Sequence, residues 1–254
     1  MLTFHALGSW PEGAVRTTWT GGGRAIVPRV EQAIDRAWAE ARSRLGDKLF
    51  DGPMCRLERW FASREQLNLI LSRTSYRPFL GTNLHNAALA DAHGAEVLAN
   101  PVGVSTALET SDGWVLLGRR NDSVAYYPNR VHPFAGALEP ADDLNVFDEV
   151  RRELREELSL TAQDLDEIAC TGLVEDASLR QPELIFRART PRTRQQVERA
   201  LDPAEHHAVH PVRAAEADVA AAVRDPILTP VAVAALLLWG RQRFGNAWQH
   251  FPLS

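Results

Sequence analysis

The stretch from Asp148 to Leu158 concentrates carboxylates: Glu149, Glu153 and Glu157 recur every four residues, and Glu156 stands three after Glu153. On an α-helix, residues three and four apart are neighbours, so this spacing lines several carboxylates along one edge. Phe147, Val150, Leu154 and Leu158 fall on the apolar edge that would anchor such a helix. Like charges so placed repel by a few tenths of a kcal/mol per pair, and the interspersed arginines offset only part of this. A divalent cation removes the conflict, because Mg²⁺ prefers oxygen ligands and commonly binds a few carboxylates together with substrate phosphates. A solvated, salt-bridged surface helix carries the same charge pattern, so the flanking residues decide between the two.

Several elements must hold that helix in place. Short strands are expected at Leu2–Leu7 and Val15–Trp19, with a flexible turn at Gly21-Gly22-Gly23. The triplet lacks the Lys-Ser/Thr signature of a phosphate loop. Val30, Ile34, Trp38 and Ala41 give the spacing of an amphipathic helix ending at Gly46. Strands follow around Met54–Phe61 and Gln66–Ser72, and an Ala-rich helix over Leu84–Ala92.

A hairpin is expected from Val102–Glu109 and Trp114–Gly118 around Thr110-Ser111-Asp112-Gly113, and Val131–Gly136 leads into the acidic stretch. Beyond it, Ile168–Val174 and Leu184–Ala188 read as strands and His207–Val212 as a further one. Helices are expected over Thr193–Leu201 and Ala214–Val223. A buried closing helix spans Thr229–Phe244, with Pro230 in its first turn, where proline is tolerated.

Arg152-Glu153-Leu154-Arg155-Glu156-Glu157-Leu158-Ser159-Leu160 resembles the core of the Nudix box, Arg-Glu-hydrophobic-x-Glu-Glu-x-Gly-hydrophobic, with Gly136 upstream where the box opens. Nudix proteins hydrolyse nucleoside diphosphates linked to another moiety, using Mg²⁺ or Mn²⁺. The resemblance implies an α/β fold, the Nudix α/β/α sandwich with a mixed sheet, plus an N-terminal α+β extension. It divides the chain into an extension over residues 1–98 and a Nudix domain over 99–254. Glu153 and Glu157 become the principal metal ligands, with Gly136 beside them. Glu156 becomes a further ligand or part of the water-activating machinery. Two departures stand out: nine residues separate Asp142 from Arg152 where the box has seven, and Ser159 replaces the closing glycine.

Leu49-Phe50-Asp51-Gly52-Pro53, Thr74-Ser75-Tyr76, Leu80-Gly81-Thr82-Asn83 and Pro101-Val102-Gly103-Val104, in that order before the box, resemble the UDP-sugar diphosphatase branch of Nudix proteins. By that resemblance Phe50 and Tyr76 contact the uracil or ribose, and Arg120 binds the diphosphate through its planar fork of donors. Ala125, His132 and Glu139 fall beside the substrate. Thr229 either meets a phosphate at the start of the last helix or serves as its N-cap. The implied reaction is Mg²⁺-dependent cleavage of UDP-glucose or a related UDP-sugar to UMP and a sugar 1-phosphate. The alternatives are another nucleoside diphosphate derivative such as ADP-ribose, and a non-catalytic nucleotide sensor.

Composition narrows the partners. At 254 residues the chain can bury a full core, and it is long for one Nudix domain. Its net charge of −5 argues against a general nucleic-acid-binding surface. Cys55 and Cys170 are too few and too far apart for a disulfide framework or a zinc site, which points to a reducing cytoplasm. Met1-Leu2-Thr3-Phe4-His5 lacks the pattern of a signal peptide, and the apolar run from Pro230 to Trp239 is too short to span a bilayer.

Overall fold

The structure is a computed structural model that describes residues 2–203, 206–245 and 248. Met1 and residues 249–254, at the outer bounds of the two expected domains, lie outside the described residues. In chain order the elements are β1 (Leu2–Trp10), β2 (Val15–Trp19), α1 (Pro28–Leu45), β3 (Pro53–Ala62), β4 (Leu67–Ser75), α2 (Tyr76–Phe79), α3 (Leu89–His93), β5 (Gly103–Thr110) and β6 (Trp114–Arg120). They continue with β7 (Val131–His132), β8 (Phe134–Ala137), α4 (Val146–Leu158), β9 (Glu167–Asp176), β10 (Gln181–Thr190), α5 (Arg194–Glu198), β11 (His206–Arg213), α6 (Glu216–Ala222) and α7 (Pro230–Phe244).

A large mixed sheet runs β1-β9-β10-β5-β6-β11, with β10 parallel to β5 and the other pairs antiparallel. β5 and β6 are paired only near their hairpin. Further along they part, and β8 pairs with β5 while β7 pairs with β6 in the gap. β2-β4-β3 form a second, three-stranded sheet.

Alternation along the strands feeds two cores. Val104, Leu108, Leu116, Leu184 and Phe186 face α4, meeting Phe147, Val150, Leu154 and Leu158, all fully buried as the spacing predicts. Ala107, Val115, Leu117, Val174 and Ile185 face the opposite side and pack on α7. The buried residues of α7 run from Val231 to Gly240 with only Val233 partly exposed, so it is apolar nearly all round. Helices on both faces of a mixed sheet make the expected α/β/α sandwich.

The stretch expected as an extension contributes to both sheets. Residues 2–10 join the large sheet as the partner of β9, while 15–19 and 53–75 build the smaller one. The expected helix over Leu84–Ala92 is also broken: a π-helical turn over Leu80–Leu84 precedes the short α3. Gly81 lies so close to Ile34 of α1 that a Cβ there would collide with it, and this packing shapes the segment instead of its propensity. α5 ends at Glu198, short of the Leu201 expected. No helix among the described residues is long and apolar enough to cross a membrane.

Candidate active site

The acidic edge of α4 is fixed at both ends of the helix. At the start, the Asn145 side chain accepts from the Phe147 N–H at 3.0 Å as N-cap, and its Nδ2 donates to Glu12 Oε1 at 2.8 Å. Arg151 donates to the same carboxylate at 3.0 Å. These contacts, Arg151 first, hold the Glu12 carboxyl down at about 2. At the end, Ser159 has φ 53°, the left-handed conformation that explains why the box prefers glycine there.

The longer loop before the helix docks on the small sheet. Thr17 Oγ1 donates to the Leu144 carbonyl at 3.0 Å and Trp19 Nε1 to that of Ala141 at 3.2 Å. Asp142 is exposed and shares a hollow with Trp19, Gly21, Gly22 and Arg73.

Glu149, Glu153 and Glu157 are all buried, whereas Glu156 is exposed. One guanidinium, that of Arg152, meets Glu149 and Glu153 and reaches Glu156 at 2.7 Å, so three carboxylates share one cation. Glu153 can sit this deep because Gly136 has no side chain: a Cβ there would strike its carboxylate. Glu157, 5% exposed, has Oε1 3.5 Å from His206 Nε2, and its carbonyl accepts the Asp202 N–H at 2.7 Å.

Among the described residues no three His, Cys, Asp or Glu side chains already enclose a point as a formed metal centre would. The donor chemistry nonetheless fits a hard divalent cation. Such an ion takes a few carboxylate oxygens and leaves its other positions to phosphate and water. Glu153 and Glu157 stand one turn apart on one helix, with the space over Gly136 given to a carboxylate.

Phe50, Tyr76 and Glu139 come together. With Leu45, Met54 and Ala137 they line a pocket of about 370 Å³, open to solvent. Phe50 is 74% exposed, so its ring is not a core aromatic. Glu139 also borders the hollow lined by Glu149 and Arg152, so the aromatic pocket and the acidic helix edge are neighbours.

A third group gathers where β5 and β6 part. His132 Nδ1 is 2.8 Å from Thr229 Oγ1, which also accepts the Ala232 N–H at 3.2 Å and so caps α7. Burial, with Arg120 and His206 nearby, holds the His132 pKa well below its ordinary value, so the ring is neutral at pH 7. Arg120, 5% exposed, lies over the Tyr126 ring at 4.8 Å, and its Nε and His132 Nε2 have no hydrogen-bond partner among the described residues. Ala125 is exposed beside Tyr126 on the loop that follows β6.

Sequence reasoning missed three residues here. Tyr126 supports Arg120, and its loop position gave no periodic signal. His206 pairs in register with Arg120 across β11 and β6. It stands just outside the strand expected from residue 207. Glu183, on β10, takes a hydrogen bond from Ser105 Oγ at 2.7 Å, and burial pushes its carboxyl up to about 7. An acid inside a strand pattern was its only mark in the sequence.

The sandwich with its acidic helix, and the gap where the central strands part, agree with the α/β/α arrangement that the resemblance to the Nudix box implies. No family model matches the chain. In sequence it is similar to uridine diphosphate glucose pyrophosphatase NUDT22 of Homo sapiens, 34% identical over 180 residues, a match covering 59% of this chain and 59% of that protein. It is 35% identical over 154 residues to the Bos taurus protein of the same name, covering 53% of each. The matched stretches thus span little more than half the length of these relatives. Similar solved structures include the Nudix domain of Shewanella oneidensis NrtR complexed with ADP-ribose, at 17% identity and a TM-score of 0.43 over 63% of this chain and 98% of that one. Another is a MutT protein from Methanosarcina mazei Go1, at 16% identity and a TM-score of 0.40 over 56% and 94%.

Proposed function

We propose that this protein hydrolyses the diphosphate of UDP-glucose or a related UDP-sugar, releasing UMP and a sugar 1-phosphate. The observation that carries this reading is the position of Glu139, which borders both the Phe50–Tyr76 pocket and the acidic edge of α4. A nucleobase in the first then has its diphosphate within reach of the second. The names borne by the mammalian relatives support the choice of substrate.

In this reading Glu153 and Glu157, beside Gly136, hold Mg²⁺, with Mn²⁺ able to serve. A divalent cation held there would supply charge neutralisation for the diphosphate and acidify the attacking water. Glu156, the exposed member of the set, completes the coordination or takes the proton of the attacking water. Water adds to one phosphorus, the bridging P–O bond breaks, and the leaving phosphate carries the electron pair. Arg120 stabilises the phosphate charge with His132 and Thr229 beside it, while Ala125 borders the substrate on its loop. Phe50 stacks on the base and Tyr76 meets the uracil or ribose. Residues 99–254 supply the chemistry, and residues 1–98 supply the aromatic wall. Two buried free thiols, Cys55 and Cys170, suit a reducing cytoplasm.

Phosphorus NMR of UDP-glucose incubated with the purified protein and Mg²⁺ tests the assignment. UMP and glucose 1-phosphate should accumulate and should be absent when EDTA is added. Turnover of ADP-ribose without turnover of UDP-glucose would overturn the choice of base.

A further inference from the structure

Asp202 and His206, the first residue of β11, both meet Glu157 at the end of α4. The Asp202 N–H satisfies the Glu157 carbonyl, one of the last-turn carbonyls that a helix leaves without an internal partner. The His206 ring, 1% exposed, then faces the side chain of the same residue, with Nε2 3.5 Å from Oε1. The ring has little freedom to be elsewhere. A Cβ on Gly118 would collide with it, and the Phe134 ring packs against it in a T-shape at a centroid distance of 5.6 Å and 82° between planes. Its neighbour in register, Arg120, belongs to the group proposed to bind phosphate.

We propose that His206 is a positioning residue for Glu157, holding that carboxylate in the orientation in which it binds a divalent cation. The inference rests on the metal-binding reading of Glu157. His206 is not itself a ligand in this arrangement, and no gain or loss of a proton is required. An imidazole held between a glycine and an aromatic ring orients its partner at small entropic cost. Outer-shell groups of this kind typically contribute 10–100-fold to metal affinity.

The test is Mn²⁺ binding to the full chain without nucleotide, followed by calorimetry, with a thermal melt of each variant. Glu157→Gln serves as the control for the metal reading itself. His206→Phe keeps a ring of similar size and removes the nitrogen, so its Mn²⁺ Kd should rise on the order of 10–100-fold at a near-unchanged Tm. His206→Gln, which retains a donor, should stay within a few-fold of the parent. Gly118→Ala leaves His206 in the sequence but pushes its ring away, and it should weaken binding as the Phe variant does. It decides the matter if His206→Phe does not fold. Parental affinity in both His206→Phe and Gly118→Ala, with weakened binding in Glu157→Gln, would overturn this proposal alone. Equal binding by the parent and Glu157→Gln would overturn the metal reading and this proposal with it.

Discussion

Gly136 and Glu153 share one volume: the strand residue gives up its side chain and the helix residue fills the space with a carboxylate. A methyl at that point must displace the carboxylate or the strand, and misplacing a catalytic group by about 1 Å typically costs on the order of 10²-fold in rate. For the reaction proposed above, Gly136→Ala should therefore lower kcat/KM with UDP-glucose by about 10²-fold, with circular dichroism unchanged. Near-parental turnover would remove the geometric argument for this glycine. At this scale the sequence was legible wherever spacing carries chemistry. Glu149, Glu153 and Glu157 fall on one edge because a helix repeats every 3.6 residues, and no tertiary information is needed to see it. Phe50 was legible only through resemblance, since nothing in the sequence alone tells an exposed ring from a buried one. His206 was not legible at all, because its position follows from strand register with Arg120 and from a glycine far away in the chain.

α4 is held by more than its apolar edge. Asn145 caps it and at the same time ties it to Glu12 in the turn after β1, so one side chain serves the helix and a distant segment. Asn145→Ala should lower the unfolding free energy by about 1–2 kcal/mol, read as a lower urea midpoint at unchanged m-value. Asn145→Asp should keep the cap and so lose less, even with a like charge beside Glu12. Among the elements, the strands and the long helices were legible because period and punctuation agree, as in α1 and α4, or because an apolar run of helical length follows a proline in the first turn, as in α7. The Leu84–Ala92 segment was not: its alanines favour a helix, but the close approach of Gly81 to Ile34 imposes a different turn. The loop before α4 was legible as an insertion, while its docking on Thr17 and Trp19 depended on a second sheet that the box does not specify.

For the molecule as a whole, Glu183 links pH to stability. Burial raises its carboxyl from 4.5 to about 7 in the folded protein, so the folded state binds more protons than the unfolded state between those values. That contribution is complete below about 4.5 and is lost as the pH rises through about 7, amounting to about 3 kcal/mol across the interval. Glu183→Gln should raise Tm relative to the parent at pH 8 and change it little at pH 5; equal shifts at both would contradict the assignment. The cysteines, charge and length read from the sequence constrain the molecule only broadly, because sheet order is a property of contacts between distant segments. β1 and β2 show this most directly. Only residues 11–14 separate them, yet one strand pairs with β9 in the large sheet and the other with β4 in the small one. So short a tether makes it hard for either sheet to melt while the other persists, and the two should therefore be lost in a single cooperative transition.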